Sequence, residues 1–137
     1  KFGADVVITE FVSADAIAYG KFRITNNELR IMVSGRKSQS TAELLSFYEA
    51  ERPFVVQLFG KNSENFGKAA KWISENLKPD GIDINMGCPA RKVVGSDHGA
   101  ALLKNPALAV EIVKSVKANT NLPVSVKTRL GWENDQN

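Results

Sequence analysis

Apolar positions along this chain follow two alternating periods, and the switches between them outline its elements. Residues 4–10 contain Val6, Val7 and Ile8, a β-branched run that predicts a strand buried on both faces, with Thr9 and Glu10 at its end. Ser13 is placed to cap a short helix through Ala14, Ala16, Ile17 and Tyr19 that stops at Gly20. The pattern weakens over residues 21–40, where residues 29–33 make a candidate extra strand. Thr41 then opens a helix whose Leu44, Leu45 and Tyr48 share a face, and Pro53 precedes a strand over residues 54–59 in which Gln57 is the odd polar residue. Asn62 or Ser63 caps the next helix, with Phe66, Ala69, Ala70, Ile73 and Leu77 at helical spacing until Pro79. In the following strand Ile82, Ile84 and Met86 alternate with Asp83 and Asn85, and Gly87 and Pro89 end it.

Beyond a loop at residues 95–99 and a short helix at 100–103, Asn105 and Pro106 form a cap and first-turn pair. Leu108, Ala109, Ile112, Val113 and Val116 give the helix after them its buried side. It ends at residues 119–121, and Pro123 opens a strand over 124–129 in which Val124 and Val126 alternate with Ser125, Lys127 and Arg129. Strands alternating with helices at this spacing indicate parallel βα units in an α/β fold. Two architectures fit, a doubly wound sheet and a (β/α)₈ TIM barrel. The loop at 95–99 lacks the glycine triplet of a dinucleotide fingerprint, which counts against the first. Gln57, Asn85, Lys127 and Arg129 lie toward the carboxyl ends of their strands, where barrel enzymes gather catalytic side chains. A whole barrel takes roughly 250 residues, so a partial barrel of about half is expected.

Composition narrows the class without changing it. The chain has 137 residues, 43% hydrophobic and 24% charged, as expected for one soluble domain rather than a disordered segment. No apolar run approaches the roughly 20 residues that span a bilayer, so neither a membrane span nor a signal peptide is expected, and the cytoplasm is the default location. One cysteine cannot form an internal disulfide, and one cysteine with one histidine cannot complete a usual zinc site. The formal charge of +3 favours a polyanion only weakly. The start at Lys1 and the polar residues 133–137 suggest a piece of something longer.

The candidate chemistry centres on Cys88, held on a Gly-Cys-Pro turn directly after a strand with an unusually polar face. Two readings stand for it, a catalytic thiol or an inert small apolar residue. Lys127 and Arg129 point away from the valines of their strand, toward a barrel mouth, or form a solvated pair. Gln57 alone reads more readily as a satisfied core amide than as a ligand, and Asp83 as a structural hydrogen-bonding group. His98, the sole histidine, reads as a solvated loop residue, while Arg91 and Lys92 meet phosphate or water. The cations of residues 21–40 read as a solvated face.

Taken together, Asp83-Ile84-Asn85-Met86-Gly87-Cys88-Pro89, Gln57-Leu58-Phe59-Gly60 before it and Lys127-Thr128-Arg129-Leu130-Gly131-Trp132 after it resemble the tRNA-dihydrouridine synthase family. Thr9-Glu10, Val12-Ser13-Ala14 and Lys92-Val93-Val94 fit the same pattern, so the resemblance spans nearly the whole chain in consistent order. It implies an FMN-dependent (β/α)₈ barrel followed by a helical domain, reducing particular uridines of tRNA to 5,6-dihydrouridine with NADPH as reductant. By that resemblance Cys88 is the general acid, Gln57 and Lys127 contact the flavin, and Asn85 and Arg129 hold the target uracil. Hydride from reduced flavin would reach C6 of the ring and the thiol proton C5, after the stacked uridine has been extracted at a cost of roughly a few kcal/mol.

The same resemblance places these residues at barrel strands 2 to 5. The first strand is then expected before Lys1, and the later strands, the family's histidine, the FMN phosphate site and the helical domain after Asn137. Residues 21–40 are longer than the family pattern, and His98 stands where a small residue is expected. The isolated 137 residues are accordingly expected to bind FMN poorly and to be inactive. Two alternatives stay open, a dihydroorotate-dehydrogenase-like FMN barrel acting on a free pyrimidine and a non-catalytic RNA-binding relative. The choice of tRNA position is expected to depend on surfaces outside these residues, and the oligomeric state is left open.

Overall fold

A computed structural model describes residues 3–20 and 44–133 and, between them, the backbone of two strands, β3 (Phe22–Thr25) and β4 (Glu28–Ile31). These two pair antiparallel as a hairpin, so the candidate strand at residues 29–33 is present over its described part, and residues 32 and 33 lie outside the description. The remaining strands form one parallel sheet. In chain order they are β1 (Val7–Ile8), β2 (Val12–Ser13), β5 (Phe54–Phe59), β6 (Gly81–Asn85) and β7 (Val124–Lys127). Their order is β1-β5-β6-β7, with β2 also on β5, so sequence order and spatial order coincide. A doubly wound sheet reverses strand order at its switch point, and none occurs among these strands.

Local chemistry explains the helices. Ser13 caps α1 (Ala14–Tyr19), its Oγ accepting from the Ala16 N–H at 3.2 Å. Asn62 rather than Ser63 caps α2 (Ser63–Asn76), accepting from the Asn65 N–H at 2.9 Å. A single short turn, α3 (Arg91–Val94), precedes a 3₁₀ segment, Gly99–Lys104, and Asn105 caps α4 (Pro106–Ala118) with proline in its first turn. α1 packs on α2 and α2 on α4, which places the helices in one layer against one face of the sheet. Val56, Leu58, Ile82 and Ile84 are fully buried beneath that layer, against Phe66, Ala69, Ala70 and Ile73 of α2 and Ile112 and Val116 of α4.

Four local expectations change. The first strand is interrupted: Val7 and Ile8 pair with Phe54 and Val55, whereas Val12 and Ser13 pair with Leu58 and Phe59. Four steps along the first strand therefore match three along β5, a β-bulge at residues 9–11. Val6 and Ile8 are half-exposed rather than buried on both faces, because they point to the sheet face opposite the helices. Tyr48 does not share a buried face with Leu45. The helical residues Leu44 and Leu45 are followed by non-helical backbone, extended at Tyr48, leaving Leu45 at 1% exposure and Tyr48 at 80%, while Thr41 lies outside the described residues. Finally, β7 ends at Lys127, so Arg129 is not a strand residue and does not continue the alternation that carries Lys127. Among the described residues no helix is long and apolar enough to cross a membrane.

Candidate active site

The site is built by register on the sheet face turned away from the helices. Parallel neighbours stand about 4.8 Å apart with side chains on the same side. Gln57 pairs with Asp83 and Asp83 with Ser125, forming one row, while Asn85 pairs with Lys127 one row nearer the carboxyl ends. Short polar side chains span that spacing by hydrogen bonds. Ser125 Oγ donates to Asp83 Oδ1 and Gln57 Nε2 donates to Asp83 Oδ2, both at 2.6 Å. Asn85 Nδ2 then donates to Gln57 Oε1 at 2.9 Å. Gln57, Asp83 and Asn85 are all buried, so these bonds replace the water that burial removes.

The chain of bonds ends at the cysteine turn. Asn85 Oδ1 accepts from the backbone N–H groups of Gly87 at 3.2 Å and Cys88 at 3.0 Å, which turns the backbone just past β6 and fixes where Cys88 begins. On the far side of the turn the Cys88 carbonyl accepts from the Ala100 N–H at 3.0 Å. Gly99, at φ +59°, makes this approach possible: a Cβ there would lie 2.7 Å from the Cys88 carbonyl oxygen and 3.1 Å from the Cys88 Cβ. Arg129 closes the arrangement from just past β7, its Nε donating to the Gly87 carbonyl at 2.7 Å. Cys88 is a free, half-buried thiol. An open cleft of about 530 Å³ lies next to the turn, with Pro89, Ala100, Arg129, Leu130 and Trp132 in its walls, and the Lys104 ammonium sits 4.0 Å from the Trp132 ring centre.

The structure therefore gathers Cys88, Gln57, Asn85 and Arg129 by direct bonds or shared partners and puts Lys127 beside Asn85 in register. Lys127 is exposed, and its ammonium has no hydrogen bond or ion pair among the described residues. Arg91 and Lys92 are exposed on α3. His98 departs from the solvated reading: it is half-buried, with its ring edge-on to Phe59 at 5.6 Å, and Phe59 in turn meets Phe11 edge-on at 5.1 Å. Asp83 has the structural hydrogen-bonding role expected of it.

Two contributors have no site role assigned from the sequence, although Thr9 belongs to the stretches that carry the resemblance. Thr9 lies at the bulge, where its own N–H donates to the Val55 carbonyl at 3.0 Å and its Oγ1 accepts from the Gln57 N–H at 3.0 Å. A side chain thus replaces the ladder carbonyl that the extra residue displaces. Ser125 anchors Asp83, and its only sequence signal is its place on the same strand face as Lys127.

Parallel strands wound in sequence order, one helical layer, and polar side chains collected at the carboxyl ends define a TIM-barrel type of enzyme scaffold, of which this chain supplies a part. The family model described as Dihydrouridine synthase (Dus) matches residues 1–137, and the chain belongs to that family. It is 36% identical over 136 residues to a probable tRNA-dihydrouridine synthase of Rhodobacter capsulatus, covering 99% of this chain and 37% of that protein. It is 40% identical to probable tRNA-dihydrouridine synthase 2 of Bacillus subtilis, covering 93% of this chain and 34% of the relative. A probable tRNA-dihydrouridine synthase of Aquifex aeolicus is 35% identical, with 99% and 38% covered. The chain thus spans little more than a third of the length of these relatives.

Proposed function

We propose that these residues form part of the catalytic barrel of a tRNA-dihydrouridine synthase that reduces uridine in tRNA, with Cys88 as proton donor. The observation that carries this reading is the double acceptance by Asn85 Oδ1, which holds the cysteine turn at the carboxyl end of β6 beside Arg129. Barrel enzymes place their chemistry at that end, and relatives carry the tRNA-dihydrouridine synthase name. The remaining barrel strands and the helical domain would come from the rest of the protein, and the 137 residues alone would bind FMN poorly and lack activity.

The donor set suits FMN. Gln57 Nε2 and Asn85 Nδ2 each use one N–H within the network and keep a second, and Lys127 adds a cation in the next position. Such a surface offers hydrogen-bond donors and positive charge to the oxygen-rich edge of a flavin. A flavin held there and reduced by NADPH would supply hydride chemistry at C6 of the uracil. Cys88 supplies the proton that C5 then needs, and a positioned general acid is typically worth about 10²–10⁴ in rate. Among the described residues Arg129 is tethered through Nε alone, so its terminal N–H groups are left to meet the ring carbonyl on which charge develops.

The test uses the full-length protein. Cys88→Ala is expected to slow single-turnover reduction of unmodified tRNA by about 10²-fold or more, with flavin and tRNA binding little changed. An unchanged rate removes Cys88 as the acid. Lys127→Ala should instead lower the flavin retained on purification, read from visible absorbance. Turnover of a free pyrimidine in preference to tRNA would point to a dihydroorotate-dehydrogenase-like enzyme, and tRNA binding without dihydrouridine formation to a non-catalytic relative.

A further inference from the structure

The bonds behind the cysteine turn have a direction, and that direction is set at their two ends. At one end the Asp83 carboxylate accepts from both Ser125 Oγ and Gln57 Nε2. At the other, the Gly87 and Cys88 N–H groups can only donate, so the Asn85 atom that meets them has to be its oxygen. Between these ends each amide passes the polarity on: Gln57 turns its NH₂ to Asp83 and its oxygen to Asn85, and Asn85 turns its NH₂ to Gln57. An amide flipped anywhere along the line would set donor against donor or acceptor against acceptor.

We infer that Asp83 is a positioning residue for the reaction: through Gln57 and Asn85 it fixes the turn that carries Cys88. It also sets what the two amides present to the open face. Their oxygens are engaged in the network, and the free hydrogen of each NH₂ is what remains, so the pair presents N–H to a ring carbonyl and disfavours a ring amino group. The carboxylate lies one row deeper than Asn85, away from the carboxyl ends, and acts through its neighbours. Ser125 holds the second carboxylate oxygen and thereby its rotation. The link to catalysis rests on the proposed function; the link to the geometry of Cys88 does not.

The experiment separates the two. In the full-length protein, Asp83→Asn removes the acceptor-only end, so the line keeps its direction only from the Gly87 and Cys88 end and loses its charged anchor. The double variant Asp83→Asn with Gln57→Glu restores it with the charge moved one place along: the amide introduced at position 83 donates to the carboxylate introduced at position 57, and that carboxylate also accepts from Asn85. The first readout is iodoacetamide alkylation of Cys88, followed on its peptide by mass spectrometry. A several-fold rise in Asp83→Asn that returns toward wild type in the double variant, with the thermal midpoint little changed in both, supports the inference. Equal alkylation rates in all three proteins, or a rise that the double variant leaves in place, overturn it.

The second readout is single-turnover tRNA reduction. Asp83→Asn is expected to lower it about tenfold or more, the size of effect that loss of a hydrogen bond to a charged group produces. Altered alkylation in a protein that reduces no tRNA even as wild type would retain the positioning role while rejecting the proposed activity. If Asp83→Asn does not fold, Ser125→Ala removes only the outer anchor, and the same rise in alkylation, smaller in size, is the supporting result; no rise overturns the inference.

Discussion

Replacing Gly99 by alanine tests the cysteine turn through its backbone alone, because Gly99 has no side chain to lose. Its φ of +59° lies in the left-handed region, which costs an ordinary L-residue roughly 1–2 kcal/mol. The added Cβ would also stand 2.8 Å from Val93 Cγ1 and 2.7 Å from the Cys88 carbonyl oxygen. The valine can rotate away, whereas the carbonyl is held by the Ala100 N–H at 3.0 Å and can retreat only by weakening that bond. Losing a typical hydrogen bond adds about 1 kcal/mol, so Gly99→Ala should destabilise the full-length protein by roughly 2–3 kcal/mol. Urea unfolding measures this, and peptide-level alkylation of Cys88 reports the displaced turn. Gly99→Asn divides the two causes, since asparagine tolerates left-handed backbone but keeps the Cβ; it should recover only about 1 kcal/mol. A Gly99→Ala protein within about 0.5 kcal/mol of wild type, with unchanged alkylation, would show that the close approach at Cys88 is not a constraint.

Two further predictions concern the supports of the sheet. The Asp80 carboxyl is held below its ordinary value of 3.8, first by the Phe54 N–H at 2.7 Å and then by Arg52 at 2.9 Å, against opposing desolvation. A depressed folded-state value means its contribution is complete at neutral pH and disappears as pH falls below 3.8, so Asp80→Asn should lower the thermal midpoint at pH 7 and converge on wild type in acid; a gap independent of pH would refute this. Thr9→Val keeps the shape but leaves the Gln57 N–H without its acceptor, which should cost about 1–3 kcal/mol in urea unfolding, while Thr9→Ser should recover most of it. Equal losses in the two variants would mean that the hydroxyl at the bulge is not what holds Gln57.

Much of the fold was legible because its signals are local. Asn62 and Asn105 announce their helices by a side-chain oxygen within reach of an N–H three residues on, and Phe66, Ala69, Ala70 and Ile73 mark a buried face by spacing alone. The misreadings lie where a partner decides. The bulge at residues 9–11 exists only relative to β5, and the length of β7 depends on what its edge meets, so neither is written into its own stretch. α3 is four residues long with no side-chain cap at Ala90, too short to show a period. The site divides in the same way. Cys88, Gln57 and Asn85 stood out as polar or reactive groups in apolar strands, whereas Thr9 and Ser125 became visible only once strands 48 and 42 residues apart were set in register.

Register is also why the site tolerates so much buried polarity. On the helix-facing side of β6, Ile82 and Ile84 are packed as any α/β core requires; on the other side Asp83 and Asn85 would each cost several kcal/mol without partners, by the usual roughly 2–7 kcal/mol for an uncompensated polar group. Pairing Gln57 with Asp83, and Asp83 with Ser125, puts an acceptor within one strand spacing of a donor on both sides, and the offset of Asn85 by two residues lets it reach Gln57 while its oxygen turns to the backbone beyond. A slip of β5 by one residue would carry Gln57 into the helix layer and take one partner from both Asp83 and Asn85 at once. The apolar face and the polar face of β6 therefore enforce the same alignment. The alignment that buries the core is the one that delivers Cys88 to the carboxyl end of the sheet.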